Sequence, residues 1–132
     1  DKGFFEQAIS SIRRLNPAVA EHFDNIRPIL IDYSNYSPED SLATDEVKIL
    51  IEKSVIKRIL LENQLLKQMV AREKNSLVKE TLEALELVLL EICNSNGDNK
   101  VTLQNVQEII KKNDLLFKTK VYFKREQKQL SI

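Results

Sequence analysis

Several residue types that build well-known kinds of site are scarce or absent in this sequence. Its 132 residues contain one Cys, one His and one Met, and they contain no Trp. A single Cys cannot form an internal disulfide, and a single His cannot supply a His-rich metal site. Two Gly and three Pro are too few for the turns of a many-stranded β-fold. These scarcities exclude a disulfide scaffold and favour a helical fold.

The chain also lacks net charge and long apolar runs. Its 20 Lys and Arg residues balance 20 Asp and Glu residues, which removes the main argument for a nucleic-acid partner. The longest strong apolar run, Leu85–Ile92, contains two Glu residues and is much shorter than the ~20 residues of a membrane span. Because 42% of the residues are apolar, the chain can bury a core and is not expected to be disordered. We expect a single helical domain over residues 1–132, without a membrane span.

Apolar residues recur at helical spacing along most of the chain. Asn16 and Pro17 are expected to end an N-terminal helix and to start the next one, since Pro suits a first helical turn. Pro28 lies inside the following pattern, where it predicts a kink or a break. The predicted helices cover residues 4–15, 17–34, Thr44 to about 71, Ser76 to Ile92 and Thr102 to Asn113.

A shift of 59 residues aligns two parts of the chain without a gap and predicts an internal repeat, about 13–56 and 72–115. Both copies have the order helix, Asn-containing loop, helix. Each helix pair has an apolar face that it cannot cover alone, so two pairs are expected to pack together. The predicted fold is an all-α bundle of four main helices built from a duplicated helix-loop-helix, with an additional N-terminal helix. Its predicted centre consists of Leu30, Ile51, Leu85, Leu89 and Ile110.

The C-terminal end differs from the rest in pattern and in charge. Formal charges sum to about −1 over residues 1–36, about −4 over 37–99 and about +5 over 100–132. Residues 115–124 alternate between apolar and mostly basic side chains, which predicts an extended or strand-like arm at 115–132, with a helix as the competing interpretation. Leu115 and Phe117 are expected to anchor this arm on the second helix pair, and the arm to meet an acidic partner or a second copy. The candidate partner-binding residues are Phe117, Lys118, Lys120, Tyr122, Lys124 and Arg125.

No motif predicts catalysis or a metal site. Gly-rich phosphate loops and the GxSxG, HExxH and CxxC patterns are all absent from the sequence. The loop that starts at Asn94 partly matches an EF-hand loop, but it offers one charged ligand, Asp98, and has Asn105 where the closing Glu is required. We therefore expect no enzyme activity, no cofactor and no specific metal. A calcium-responsive helix pair is the least favoured reading.

Three further features receive structural interpretations. His22 is expected to be a surface or capping residue, and Cys93 a small buried hydrophobic residue. The stripe Leu60, Leu61, Leu65 and Leu66 is wider than one helix face needs. Most of it is predicted to lie in the core, and the remainder could serve a partner or a dimer.

Three segments together resemble a known family: LLENQLLKQMV (60–70), TLEALELVLLEICNS (81–95) and VQEIIKKNDLLFKTKV (106–121). They are similar to the region after the membrane helix in bacterial anti-sigma-factor-like proteins, in which a cytoplasmic zinc-binding domain precedes one membrane span and an extracytoplasmic helical region. The similarity covers about residues 15–123 and consists of Leu/Glu patterns. The zinc motif and the span are absent from this chain, so no zinc ligands or sigma-factor contacts are carried over.

This resemblance implies a non-enzymatic sensor or interaction domain that lies outside the bacterial cytoplasmic membrane, in the periplasm, and is tethered to that membrane in the full-length protein. The chain starts at Asp1 without Met, and we expect it to be a piece of something longer. The alternative is a free-standing helical scaffold or dimerisation module. In both readings the partner is a protein or a second copy of the chain.

Overall fold

The computed structural model describes residues 2–37, 53–73, 76–95 and 99–120, which are helical apart from short connections and contain no strand. The all-α prediction is confirmed for this part of the chain. Within the same residues, no helix has both the length and the hydropathy needed to cross a bilayer. The helices are α1 (Lys2–Asn35), α2 (Lys53–Val70), α3 (Ser76–Cys93) and α4 (Asn99–Lys112), followed by a C-terminal helical segment at 115–120.

Helix α1 is continuous through both of its prolines, Pro17 and Pro28. The predicted break at Asn16 and Pro17 is therefore wrong, and the separate N-terminal helix is the first part of α1. Each proline removes a backbone donor and leaves a carbonyl one turn earlier without its helical partner. Both prolines lie at exposed positions. The carbonyl freed by Pro28 belongs to Asp24, an exposed residue that water can reach, while the opposite face of α1 is held by its packing.

The helices surround one hydrophobic core. Helix α2 packs against α3, α3 packs against α4, and α1 packs against both α2 and α4. Helix α3 buries a wide face because it packs against both α2 and α4. Of the five residues predicted for the centre, four are buried, and Ile51 lies outside the described residues. The buried apolar residues of α1 include Val19, Phe23, Ile26, Leu30 and Tyr33, as its helical spacing predicts.

Burial in α1 matches burial in α3 at the shift of 59 residues. The pairs Val19 and Val78, Phe23 and Leu82, Ile26 and Leu85, and Leu30 and Leu89 are each no more than 3% exposed. The second helix of the first copy would cover about residues 40–53, almost all of which lie outside the described residues. The superposition of the two helix pairs therefore stays a prediction.

Residues 115–120 are helical, so the strand prediction is wrong for this part of the arm, and residues 121–132 lie outside the described residues. Asp114 separates the segment from α4 with a left-handed φ of 52°, a conformation that Asp tolerates better than most residues. The amide of Lys118 donates to the Asp114 carbonyl at 3.0 Å. Local hydrogen bonds of this kind satisfy the backbone, so the segment needs no partner strand.

Helix α4 starts at Asn99, three residues before the predicted cap Thr102. The hydroxyl of Thr102 instead donates to the Ser95 hydroxyl at 2.9 Å, which ties α4 to the end of α3. Ser76 begins α3 as predicted.

Candidate interaction surfaces and a buried polar cluster

The predicted partner-binding residues are only partly within the described residues. Phe117 is 61% exposed, Lys118 is half-buried and Lys120 is exposed, while Tyr122, Lys124 and Arg125 lie outside the described residues. Leu115 is fully buried, as predicted, but the prediction that Phe117 anchors the segment is wrong. In a helix, residues four apart share a face and residues two apart do not. The face of Leu115 is accordingly continued by Thr119, and Phe117 lies away from the core.

The C-terminal segment is fixed to α1 by side-chain hydrogen bonds. The Arg27 guanidinium donates to the Leu116 carbonyl and, at 3.0 Å, to the Thr119 hydroxyl. That hydroxyl donates in turn to the Leu115 carbonyl at 2.7 Å. The end of α1 is held to α4 as well, because the Gln107 amide donates to the backbone carbonyls of Tyr33 and Tyr36. Exposed Phe117 and Lys120 therefore belong to a segment that is anchored to α1.

A cavity of about 400 Å³ lies beside these contacts and is open to solvent. Its lining includes one cationic side chain, Lys111, and one anionic side chain, Asp114, so it does not favour a ligand of either charge. Its lining residues are Ser34, Gln107, Ile110, Lys111, Asp114 and Leu116.

Tyr33 packs its ring into the core beside this region and is 4% exposed. Burial raises the pKa of its phenol from the usual 10.0 to about 12, because the phenolate is poorly solvated there. The folded chain therefore holds this proton more tightly than the unfolded chain. The resulting stability is fully present below pH 10 and is lost as the pH rises from 10 to about 12.

The substitution Tyr33→Phe should remove this alkaline loss. At pH 11 the wild-type chain is expected to have lost about 1 kcal/mol of unfolding free energy through Tyr33 alone. Urea unfolding of both chains at pH 9 and pH 11 measures this difference in alkaline loss. Lysine titration occurs in both chains and therefore cancels in the comparison. Equal losses of unfolding free energy in the two chains would contradict the assignment of the alkaline loss to Tyr33.

The outer face of α2 carries an exposed apolar stripe. Leu61, Leu65 and Met69 are 66%, 58% and 50% exposed, and their spacing of four residues places them on one face. We call these three residues the α2 stripe. The opposite face of α2 is buried through Ile56, Asn63, Leu66 and Val70.

The prediction that most of the leucine stripe lies in the core is wrong for two of its four residues. Leu66 is buried and Leu60 packs against the core while partly exposed, but Leu61 and Leu65 are exposed. Helix α2 packs against α1 and α3, and these neighbours cover one side of it. Basic residues flank the exposed side: Lys57 and Arg58 precede the α2 stripe and Arg72 follows it, all three exposed.

A buried polar cluster links three helices. His22 of α1 is 1% exposed, so the expectation of a surface position is wrong. Its Nε2 lies 2.8 Å from Asn63 Oδ1 and its Nδ1 lies 3.2 Å from Glu62 Oε1, both on α2. Asn63 Nδ2 donates to the Leu82 carbonyl of α3 at 2.9 Å. The signal that could have revealed this burial is that His22 lies next to Phe23, within the apolar face of α1.

The described residues give no candidate metal site. They contain no group of three or more His, Cys, Asp or Glu residues that could hold a metal ion. In the segment that partly matches an EF-hand loop, Asn105 donates to the Glu91 carboxylate at 2.8 Å, and Asp98 lies outside the described residues. Cys93 is partly exposed rather than buried, and it packs against the core.

Comparison of the chain with protein-family models, with curated proteins and with solved structures gives no match. Its function is therefore inferred from the surfaces and contacts of the molecule.

Proposed function

We propose that this chain is a non-enzymatic helical interaction domain and that the α2 stripe is its contact surface for a protein partner. The observation that carries the proposal is the exposure of Leu61, Leu65 and Met69, each at least half exposed on successive turns of one helix. Single exposed apolar residues are common, but adjacent ones that form a patch mark sites of protein association. A stripe with this spacing suits a second helix that lies along α2.

The charges around the α2 stripe favour an acidic partner. Lys57 and Arg58 lie at one end and Arg72 at the other, all exposed. Glu62 and Glu73 are the nearby acids, and the Glu62 carboxylate contacts His22. A partner helix with apolar residues on one face and carboxylates near its ends would match this surface, and charge complementarity would select it over a basic helix. Phe117 and Lys120 offer a second surface of similar composition.

The proposed setting is the extracytoplasmic part of a bacterial, membrane-tethered regulator of the anti-sigma-factor-like kind. Support comes from the three segments that resemble this family, which cover parts of α2, α3, α4 and the C-terminal segment. The duplicated helix-loop-helix is part of the proposal and is supported by the matched burial of α1 and α3. The upstream coding sequence tests the setting: a membrane span preceded by a Cys/His cluster is expected.

A free-standing dimerisation module is the second candidate. The same α2 stripe could pack against the stripe of a second copy, because an apolar helix face is self-complementary in a twofold pair. An upstream sequence without a span, together with a dimer in solution, would favour this candidate over the first.

The triple variant Leu61→Ser, Leu65→Ser, Met69→Ser tests the contact surface. All three side chains are at least half exposed, so the fold should be retained, with a stability change of about 1 kcal/mol or less. Sedimentation velocity measures self-association, and fluorescence anisotropy measures binding of a synthetic amphipathic helix that has Leu on one face and Glu near its two ends. We expect the triple variant to lose whichever association the wild-type chain shows.

Leu87→Ser is the matched control, because Leu87 is 54% exposed on α3 and lies outside the α2 stripe. This variant should associate as the wild-type chain does. A peptide with Lys in place of Glu should bind more weakly if the basic flanks contribute. If the wild-type chain shows neither self-association nor peptide binding, the proposed contact surface is wrong.

A further inference from the structure

The C-terminal helical segment presents an aromatic side chain to solvent between two lysines. Leu115 and Thr119 form the buried face of this segment, and both are 0% exposed. Because a helix turns by about 100° per residue, Phe117 lies opposite that face, with Lys118 on one side of it and Lys120 on the other. Phe117 is accordingly 61% exposed. The most outward position of the segment therefore carries a large apolar ring flanked by two cations.

This ring has a fixed support, because the segment is bonded to α1. The Arg27 guanidinium donates to the Leu116 carbonyl and, at 3.0 Å, to the Thr119 hydroxyl. Both acceptors are neutral, so they do not cancel the positive charge of Arg27, which adds to the potential of the segment. A surface that is already ordered loses little conformational entropy when it binds a partner.

Two further lysines extend the positive charge to the end of α4. Lys111 and Lys112 lie in the last turn of this helix and are exposed. Lys111 lines the same cavity as Leu116, so the end of α4 lies beside the C-terminal segment. Asp114 is the single acid between residues 111 and 120, and four Lys against one Asp give this stretch a formal net charge of +3. We call the following five residues the Phe117 surface: Lys111, Lys112, Phe117, Lys118 and Lys120.

The four lysines of the Phe117 surface are not neutralised by ion pairs. Within the described residues, the ion pairs are those of His22 with Glu62 and of Lys67 with Glu86, and neither includes one of these lysines. The acids between residues 99 and 120 are Glu108 and Asp114, and both are exposed. The positive charge of this surface is therefore available to an anionic partner.

We propose that the Phe117 surface binds the anionic face of a lipid bilayer, with the Phe117 ring inserted at the boundary between the headgroups and the acyl chains. Aromatic side chains are favourable at this depth, and lysines are attracted to an anionic bilayer surface. The long lysine stems let the ammonium groups stay at the level of the lipid phosphates while the ring lies deeper. The charge of this surface is complementary to that of anionic headgroups.

The shape of the Phe117 surface favours a bilayer over an acidic protein. A protruding ring in a protein interface needs a matching pocket in the partner, whereas the fluid lipid interface accepts a single ring without one. The cations lie on two elements, α4 and the C-terminal segment, which suits a continuous layer of negative charge. The α2 stripe differs, because its three apolar side chains form a face along one helix. This inference uses a different surface and does not depend on the proposed function.

Sedimentation of the full chain with sucrose-loaded vesicles tests the proposal. One set of vesicles is pure phosphatidylcholine, which is neutral, and the other contains about one third phosphatidylglycerol, which is anionic. We expect the wild-type chain to bind the neutral vesicles about tenfold more weakly than the anionic ones, or weaker still, and to dissociate from the anionic vesicles as the salt concentration is raised.

Two variants separate the contribution of the ring from that of the charges. Lys118→Gln combined with Lys120→Gln should weaken binding to the anionic vesicles on the order of twentyfold, at about fivefold for each lysine removed. Phe117→Ser should weaken this binding about tenfold, because insertion of the ring is lost. Lys57→Gln combined with Arg58→Gln is the matched control, since it removes the same charge from exposed positions on α2. The control pair should bind as the wild-type chain does.

Four outcomes would overturn the proposal: no binding to the anionic vesicles, equal binding to both kinds of vesicle, an equal loss in the control pair, or unchanged binding of Phe117→Ser. The wild-type comparison of the two kinds of vesicle needs no variant, and circular dichroism checks that each variant keeps its helix content. A synthetic poly-glutamate peptide provides the competing test. Binding of this peptide without binding to vesicles would assign the Phe117 surface to an acidic protein and overturn the proposal.

Discussion

Replacing Leu89 by Ala is expected to lower the free energy of unfolding by about 2–5 kcal/mol. Leu89 is 0% exposed in α3, and α3 packs against both α2 and α4. Removal of most of its side chain leaves a cavity that these helices can fill only in part. Urea or thermal unfolding, followed by circular dichroism at 222 nm, measures the loss.

Leu87→Ala provides the matched control for this prediction. Leu87 is 54% exposed and lies in the middle of the same helix, so the substitution changes helix propensity in the same way without opening a core cavity. We expect a stability change of about 1 kcal/mol or less for this control. A loss below about 1 kcal/mol for Leu89→Ala would show that this face of α3 is not the core.

The helical class and much of the core could be predicted because they depend on local periodicity. Val19, Phe23, Ile26 and Leu30 recur every three or four residues, and this spacing defines a buried helix face wherever the helix lies in the fold. The repeat adds information, because the 59-residue shift alone identifies Leu30 and Leu89 as equivalent positions. Both residues are fully buried.

The ends of the helices are harder to predict from the sequence, because they depend on how each helix is oriented in the fold. Asn16 and Pro17 carry a strong local signal for a break, yet α1 continues because Pro17 occupies an exposed position. The alternation after Leu115 similarly resembled a strand. A helix forms at 115–120 because Leu115 and Thr119, four residues apart, share the buried face, and Arg27 from a distant part of the chain bonds to that segment.

The candidate sites are harder still to predict from the sequence, since they arise from contacts between helices. No local pattern indicates that His22 meets Glu62 and Asn63, which follow it by about 40 residues in the sequence. The leucine stripe of α2 was visible in the sequence, but the number of helices that cover it was not. Leu61 and Leu65 are exposed because the neighbours of α2 lie on its other side.

The second large effect is expected for Phe23→Ala, with a loss of about 3–5 kcal/mol of unfolding free energy. Phe23 is 1% exposed and lies beside His22, on the face through which α1 packs against α2 and α4. Its ring is the largest fully buried apolar side chain that α1 contributes among the described residues. Truncating it should therefore weaken the attachment of the whole helix.

Phe117→Ala removes the same side chain from a position that is 61% exposed, and it should change stability by about 1 kcal/mol or less. Chemical unfolding of both variants measures the difference, and helix content at 222 nm shows whether α1 stays folded when Phe23 is truncated. A folded chain with reduced helicity would mean that α1 can detach while the remaining helices stay packed. Equal small losses for the two variants would contradict the placement of α1 in the core, because a buried aromatic ring that packs between helices cannot be removed at so small a cost.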